Sequence, residues 1–278
     1  EKLEEVRAAS HHLLYGRTAD NKEMLIKRYN ISDIQTLRKL RREIRMLNRL
    51  NHEHVIQIEG IYFSKKGTDH EACVVIPYYR EGSLLDYVQN YEKRQNRRPS
   101  KAIWLRIWIQ VLLGLQYIHN ADIIHCDLKP QNIFVKRVES VGKHSTHSST
   151  TSDSSHDQGG NSEYPFLVIG DFDISLDISQ RTVATRQSTM NTVGGTISFM
   201  APEVLEGRVS DLNYTIDMYS FGKTIEAVMK QEELNQIPTL QHIVQQCTSK
   251  NASDRYSTSE AISKLSIMQE SIPNEILY

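Results

Sequence analysis

Short apolar runs separated by turn residues dominate the first third of the chain, with one longer segment of helical spacing among them. Residues 12–15 and 24–27 are strand-like runs on either side of a polar turn. Leucine and isoleucine recur at steps of three and four along residues 33–50, which predicts an amphipathic helix. Further strand-like runs occupy residues 55–63 and 72–79. The pattern therefore predicts an N-terminal region of strands with one helix.

Helical periodicity prevails from Leu84 onward. Residues 101–119 carry a broad apolar stripe, which predicts a buried helix with Trp104 and Trp108 in the core. Residues 203–270 are again helical in pattern. Together with the strands near the N-terminus, this distribution predicts an α+β fold class, β-rich first and mainly helical afterwards.

Two short strands interrupt the helical part, at residues 132–135 and 166–169. Between them, residues 139–163 are rich in Ser, Thr, His and Gly and poor in apolar side chains. Such a stretch cannot bury apolar surface, so the composition predicts a disordered loop there.

Composition and charge exclude several classes of function. The formal net charge is −1 over 278 residues, so no bulk attraction to nucleic acid or acidic lipid is expected. The three cysteines are far apart and form neither a disulfide framework nor a zinc-ligand spacing. No run approaches the roughly 20 apolar residues of a membrane span. We therefore expect a cytoplasmic or nuclear protein with no nucleic-acid and no membrane partner.

The strongest chemical signal is the string HCDLKPQN at residues 125–132. Pro130 and the packed polar residues argue against a helix or strand, so the string is expected on a loop. Asp127, Lys129 and Asn132 supply a carboxylate, an ammonium and an amide. Phosphoryl transfer needs these groups to accept a hydroxyl proton, to neutralise the transferred phosphate and to hold a metal ion.

Three further charged residues stand at positions where burial requires a partner. Asp171 follows the apolar strand 166–169, and a magnesium ion that bridges phosphates would compensate its charge. Glu43 faces the core side of its predicted helix, and Lys27 ends an apolar strand, so Lys27 is placed to meet both Glu43 and a phosphate. The alternative is a surface lysine, with Glu43 paired to Arg42 or Lys39 instead.

These residues, in this order, resemble the signature set of the eukaryotic protein kinase superfamily, and the likeness covers residues 13–267. The spelling Leu128-Lys129-Pro130 is similar to that of serine/threonine kinases. The resemblance implies a bilobal fold in a single domain over residues 1–278. Its small N-lobe would cover about 1–76, its hinge 77–82 and its larger helical C-lobe 83–278.

The resemblance also implies a function with named residues. ATP and Mg²⁺ would be the cofactors, and a protein with Ser or Thr hydroxyls the substrate. Asp127 would be the catalytic base beside Lys129, and Asn132 and Asp171 would hold the metal. The residues expected around ATP are Lys27, Glu43, Leu13, Leu25, Ile76, Pro77, Tyr78, Tyr79 and Phe134. Asp217 would anchor the catalytic loop from inside the C-lobe, and Arg255 would pair with Glu203.

The N-lobe departs from the family pattern at the nucleotide site. Val6, Ala8 and His11 stand where a phosphate-binding loop would have glycines. Because glycine permits close approach of the backbone to phosphate, we expect weaker phosphate clamping. Leu25 replaces a small alanine and, opposite Phe134, narrows the expected adenine slot.

The C-lobe departs from the pattern beside the catalytic groups. Cys126 replaces an arginine that reads a phosphate on the activation loop, so we expect activity without that switch. Asp173 replaces the glycine after Asp171 and Phe172, adding a second carboxylate near the expected metal. The hydroxyls available for phosphorylation in the activation loop are Thr182, Thr185, Ser188, Thr189 and Thr192.

Two hypotheses about function therefore remain. The first is an active protein kinase, because every residue that would touch the reaction is retained. The second is a pseudokinase that acts as a binding or scaffold module for a regulatory protein partner. A basic helix surface is its candidate docking face, although a solvated helix face is the simpler interpretation. That surface consists of Arg38, Arg41, Arg42 and Arg45.

Overall fold

The computed structural model describes residues 4–7, 12–66, 69–141, 162–179, 195–208 and 212–269. It confirms the predicted α+β fold, with a β-rich N-terminal region followed by a mainly helical one. The strands are β1 (Glu4–Arg7), β2 (His12–Arg17), β3 (Glu23–Asn30), β4 (Gly60–Lys66), β5 (Asp69–Pro77), β6 (Ile123–Ile124), β7 (Ile133–Val141), β8 (Ser162–Ile169) and β9 (Leu176–Asp177). The helices are α1 (Ile34–Leu47), α2 (Leu84–Gln95), α3 (Lys101–Asn120), α4 (Pro202–Leu205), α5 (Thr215–Val228), α6 (Gln231–Asn235), α7 (Pro238–Cys247) and α8 (Thr258–Gln269).

The N-terminal sheet has the strand order β1-β2-β3-β5-β4, with every neighbour antiparallel. Leu25 of β3 lies opposite Ile76 of β5, and Lys27 lies opposite Leu13 of β2. Side chains two residues apart on a strand share a face, and directly paired residues do as well. Leu13, Leu25, Lys27 and Ile76, all predicted to surround a nucleotide, therefore line the same face of the sheet.

Helix α1 confirms the amphipathic helix predicted at residues 33–50. Asp33 caps its N-terminus, accepting hydrogen bonds from the backbone amides of Gln35 and Thr36. Leu40, Met46 and Leu47 are buried on its inner face, together with Glu43. The periodicity that buries the leucines also turns the Glu43 carboxylate inward, toward β3.

Helix α3 forms the centre of the C-terminal core. Trp104 and Trp108 are almost fully buried, as predicted, and their rings stack with centroids 6.0 Å apart. The Trp108 ring also meets Phe221 of α5 edge-on, at 5.9 Å. Each large apolar side chain buried in this way contributes about 2 kcal/mol from removal of its surface from water. This core gives the loops at the ends of α3 and α5 a rigid base.

The predicted strand at residues 55–63 is wrong in its first half. Residues 56–59 are irregular, and β4 begins only at Gly60. The amide of Ile56 donates to the carbonyl of Ile169 at 2.8 Å, and that of Glu59 to the carbonyl of Val75 at 2.8 Å. Val55 and Ile56 are therefore buried in a connection between the two regions, where the backbone bonds to different elements in turn.

The predicted loop at residues 139–163 is shorter than expected at both ends. Strand β7 continues to Val141 and pairs there with Ser162, the first residue of β8. Residues 142–161, with most of the Ser/Thr/His-rich stretch, lie outside the described residues. None of the described helices is both long and apolar enough to cross a membrane.

A buried ion pair joins α4 to the turn before α8, as predicted. The Arg255 guanidinium donates to both oxygens of Glu203, at 2.6 and 2.8 Å, and both side chains are at most 1% exposed. The same guanidinium donates to the carbonyl of Thr215 at 3.1 Å. Removing one partner of such a pair leaves an uncompensated buried charge.

We therefore expect Glu203→Gln to lower the free energy of unfolding by about 3 kcal/mol. Urea denaturation followed by circular dichroism measures this loss. Glu206→Gln is the matched control, because the Glu206 side chain is 60% exposed and its pair with Arg208 is solvated. Equal denaturation midpoints for the two variants would contradict the stabilising role of the buried pair.

Candidate active site

A buried carboxylate holds the loop at residues 125–132 in place. Asp217 of α5 is fully buried and accepts hydrogen bonds from the backbone amides of His125 at 2.7 Å and Cys126 at 2.8 Å. The His119 ring contacts the same carboxylate at 2.9 Å. Cys126 has a φ of 69°, a left-handed conformation that the two adjacent bonds to Asp217 maintain. The anchoring predicted for Asp217 is thus present.

The Asp127 carboxylate is surrounded by hydrogen-bond donors. Its Oδ2 accepts from Lys129 Nζ at 2.6 Å and from Asn132 Nδ2 at 3.0 Å. Its Oδ1 accepts from the backbone amide of Thr196 at 3.1 Å, and Lys129 Nζ also donates to Thr196 Oγ1 at 2.8 Å. The sequence string thus brings together the three predicted groups, and the structure adds Thr196 from 69 residues away.

Gly195, beside Thr196, is a position that requires glycine. Its φ is 139°, and a Cβ there would lie 2.9 Å from Met200 Cε and 3.3 Å from the carbonyl of Cys126. The chain therefore passes close to the loop that carries Asp127. This close approach brings the Thr196 amide within reach of the carboxylate.

Lys27 lies on the opposite side of the cleft among three carboxylates. Its Nζ is 3.3 Å from Asp173 Oδ1, 3.4 Å from Asp171 Oδ1 and 3.7 Å from Glu43 Oε1. The Lys27 side chain is only 12% exposed, so the alternative of a surface lysine is wrong. Glu43 also accepts a hydrogen bond from the Tyr29 hydroxyl at 2.9 Å. The predicted Lys27–Glu43 pair is therefore present, within a larger acidic group.

These contacts shift the pKa values of the buried residues. Burial lowers the pKa of Lys27, but the attraction of Glu43, Asp171 and Asp173 outweighs it, and the pKa is raised overall. Burial raises the pKa of Glu43 to about 7, against the opposing effect of Lys27 and with a further increase from Asp173. Burial and the nearby Glu43 also raise the pKa of the Tyr29 hydroxyl. Lys27 accordingly stays charged at neutral pH.

Asp171 stands at the end of β8 in a left-handed conformation, with a φ of 66°. The next residue, Phe172, is fully buried and packs edge-on against the His125 ring, with centroids 4.9 Å apart. Before it, a Cβ on Gly170 would lie 2.9 Å from the Phe134 ring. These two contacts fix the backbone on both sides of Asp171. Its carboxylate, one third exposed, is thereby held in the cleft.

The residues predicted to bind a metal ion lie on adjacent segments. The amide of Gly170, next to Asp171, donates to the carbonyl of Asn132 at 2.9 Å. Among the described residues, no group of three or more His, Cys, Asp or Glu side chains could hold a metal by itself. Magnesium needs few protein ligands, because it keeps several waters and shares the oxygens of substrate phosphates. One carboxylate and one amide oxygen fit that donor set.

The remaining predicted nucleotide-binding residues lie around the connection between the two regions. Pro77 ends β5, and Tyr79 stacks on Phe134 with ring centroids 5.9 Å apart. The Tyr78 amide donates to the carbonyl of Glu23 at 3.2 Å, which turns this peptide toward the sheet. The Tyr78 ring meets Tyr15 of β2 edge-on at 5.0 Å. Aromatic rings therefore cluster where β5 leads into the C-terminal region.

An ionic cluster that sequence reasoning missed lies next to these rings and includes the hydroxyl of Tyr15. Glu23 accepts hydrogen bonds from Arg17 at 3.0 Å, from Arg80 at 2.8 Å and from the Tyr15 hydroxyl. It ties β2 and β3 to the segment after β5. No local spacing links Glu23 to Arg80, 57 residues further along.

Of the three residues that stand where a phosphate loop would have glycines, only one lies in the described part of the chain. Val6 lies in β1, opposite Leu13 of β2. Ala8 and His11 lie outside the described residues, as do the hydroxyls predicted for activation-loop phosphorylation.

Comparison with known proteins identifies the family. A family model described as a protein kinase domain matches residues 12–267. The chain is 30% identical over 189 residues to a protein named probable serine/threonine-protein kinase WNK6 of Oryza sativa subsp. japonica, covering 67% of this chain and 33% of that protein. It is 26% identical over 251 residues to serine/threonine-protein kinase Nek8 of Danio rerio, covering 88% and 30%. The chain therefore belongs to the eukaryotic protein kinase superfamily.

The relatives are longer proteins than this chain. A bifunctional serine/threonine-protein kinase/NEDD4-like E3 ubiquitin-protein ligase of Dictyostelium discoideum is 26% identical over 213 residues, which is 76% of this chain and 9% of that protein. The chain spans at most a third of these three relatives. The part that the chain shares with these relatives is the protein kinase domain. Proteins of this family transfer phosphoryl groups to other proteins.

The raised pKa of Glu43 predicts a dependence of stability on pH. The pKa of the Glu43 carboxyl has its ordinary value of 4.5 in the unfolded chain and is about 7 in the folded chain. The folded state therefore binds the proton more tightly. Its contribution to stability is therefore full below pH 4.5 and is lost as the pH rises through 7. Glu43→Gln, which mimics the protonated form, lacks this dependence.

We expect the free energy of unfolding of the wild type, minus that of Glu43→Gln, to fall by about 2 kcal/mol between pH 5 and pH 8. Urea denaturation at both pH values measures it. A difference that stays constant, or that grows with pH, would contradict the assignment.

Proposed function

We propose that the chain is an ATP- and Mg²⁺-dependent kinase that transfers the γ-phosphoryl group to Ser or Thr hydroxyls of a protein substrate. The main support for this proposal is the Asp127 carboxylate, which accepts hydrogen bonds from Lys129, Asn132 and Thr196. Asp217 anchors the loop that carries it. A fixed, partly buried carboxylate beside an ammonium is the arrangement that this reaction requires.

Each predicted residue has a place in this proposal. Asp127 accepts the proton of the attacking substrate hydroxyl. The hydroxyl oxygen forms a bond to the γ-phosphorus, while the bond between that phosphorus and the oxygen bridging the β- and γ-phosphates breaks. Lys129, 2.6 Å from Asp127 Oδ2, offsets negative charge on the transferred group. Asn132 and Asp171 would hold Mg²⁺, which neutralises phosphate charge when bound. Lys27, positioned by Glu43, binds phosphate oxygens.

The adenine would lie in the slot between the sheet and the C-terminal region. The residues around it would be those predicted from the sequence: Leu13, Leu25, Ile76, Pro77, Tyr78, Tyr79 and Phe134. In this proposal the domain covers residues 1–278, with the hinge at 77–82 between the N-lobe and the C-lobe. A protein of this kind would act in the cytoplasm or the nucleus.

Cys126 supports activity without a phosphorylated activation loop. It is buried, and its thiol donates weakly to the carbonyl of Ile124 at 3.6 Å. A small thiol in this position offers no cation to a phosphate. The rigidity of the loop rests on the Asp217 bonds instead.

A specific observation also favours the second candidate, a binding module without transfer activity. Lys27 is already surrounded by carboxyl groups. Val6, Ala8 and His11 stand where the family pattern has glycines. Arg38, Arg41 and Arg45 are exposed on α1 and would form the docking face for a regulatory partner. Arg42 does not belong to that face, because it is half-buried and donates to the carbonyl of Asp173 at 3.3 Å.

Transfer of labelled phosphate from ATP to a Ser/Thr peptide library, in the presence of Mg²⁺, tests the first candidate. We expect transfer by the wild type and a loss of at least about 100-fold in Asp127→Asn, since the general base is removed. Asp254→Asn, at an exposed turn of the C-terminal region, is the matched control and should retain wild-type transfer. Nucleotide binding without transfer by the wild type would favour the scaffold.

A further inference from the structure

Asp173 brings a negative charge to a position that the family pattern leaves to glycine. Its Oδ1 is 3.3 Å from Lys27 Nζ, closer than either Asp171 or Glu43. Its carbonyl oxygen accepts a hydrogen bond from Arg42 of α1 at 3.3 Å, and this bond fixes the backbone. Asp173 is thus bonded to two elements of the N-terminal region: to β3 through Lys27 and to α1 through Arg42.

The charge balance around Lys27 is strongly acidic. One ammonium group contacts two aspartates and Glu43, whose raised pKa of about 7 leaves it only partly ionised at neutral pH. The side chains of Glu43, Asp171 and Asp173 are 6%, 33% and 25% exposed. Water therefore screens these charges only in part, and they act on one another more strongly than surface charges do. An anion that approaches Lys27 must compete with carboxylates that already occupy its contacts.

The acidic group around Lys27 would act differently on a metal-free triphosphate and on a triphosphate that has a divalent cation bound. Without a metal ion the triphosphate carries about four negative charges at neutral pH, and both Asp171 and Asp173 repel it. Its complex with a divalent cation remains an anion overall, but it carries a metal ion that the same two carboxylates attract. Lys27, released from one carboxylate, can then bind a phosphate oxygen. An acidic group of this kind would discriminate between the two forms.

We propose that Asp173 is a specificity-determining residue that makes nucleotide binding depend on a divalent cation. It disfavours metal-free nucleoside triphosphate and favours the metal–nucleotide complex. The inference rests on the nucleotide site of the proposed function and requires no phosphoryl transfer. It applies equally to an active kinase and to a nucleotide-binding scaffold.

A purely structural role for Asp173 has a different consequence. If its carboxylate only positioned Lys27, its removal would change the affinity for both forms of the nucleotide by the same factor. The ratio of the two dissociation constants therefore separates discrimination from positioning, whereas either constant alone does not.

The test measures binding of ATP by isothermal titration calorimetry, once with excess Mg²⁺ and once with EDTA. The proteins are the wild type, Asp173→Asn and Asp173→Gly. Asparagine keeps the size of the side chain and removes its charge, and glycine restores the residue of the family pattern. Asp20→Asn, in an exposed turn between β2 and β3, controls for the change in net charge.

For the wild type and Asp20→Asn we expect a large ratio of the dissociation constant in EDTA to that in Mg²⁺. In both Asp173 variants the ratio should fall about tenfold, mainly because metal-free ATP binds more tightly. A ratio that is unchanged in both variants would overturn the inference, whether the two dissociation constants stay the same or shift by the same factor.

The outcomes for this inference and for the proposed function are distinguishable. A wild type that binds ATP but transfers no phosphate contradicts the proposed kinase activity, and the ratio still decides the role of Asp173. A wild type that binds no ATP, with or without Mg²⁺, overturns both.

Discussion

The ammonium of Lys27, enclosed by carboxylates, is the interaction on which the geometry of the cleft depends. Lys27 belongs to β3, Glu43 to α1, and Asp171 and Asp173 to the turn after β8. A buried ammonium needs counter-charges, and each of these acidic side chains needs a cation in return. The sheet, the helix and the turn therefore cannot shift independently. Arg42 strengthens the same junction through the carbonyl of Asp173.

A second buried charge fixes the other wall of the cleft. Asp217 binds two consecutive amides of the loop at residues 125–132, and α5, which carries it, is packed into the core around Trp108. The polar groups of this loop stay partly accessible, as the side chain of Asp127 is 11% and that of Lys129 19% exposed. Rigid support beneath partly exposed polar groups is what the proposed catalysis would require. The cleft thus joins a fixed carboxylate to a charged junction above it.

Sequence reasoning succeeded where the chemistry is local or strongly periodic. Asp127, Lys129 and Asn132 fall within six residues, and the heptad-like spacing of α1 turns Glu43 inward. The distant pair of Glu203 and Arg255 was predicted only through the family resemblance. Distant partners outside that resemblance were missed, because neither the Thr196 amide at Asp127 nor Arg80 at Glu23 has a local signal. The apolar run at 55–63 was predicted as strand throughout, because an apolar run alone does not specify a ladder of hydrogen bonds. Asp173 was recognised as unusual, but its contact with Lys27 follows only from the fold.

In the proposed function, Lys27 and its acidic partners form the phosphate end of a nucleotide site. Thermal melting with saturating Mg²⁺ and ATP, comparing the wild type with Lys27→Met, tests it most directly. A ligand at 100 times its dissociation constant stabilises the folded state by about 2.7 kcal/mol. The wild type should therefore melt several degrees higher with the ligand, and Lys27→Met should show little change. Equal stabilisation of both proteins, or none in the wild type, would contradict the account.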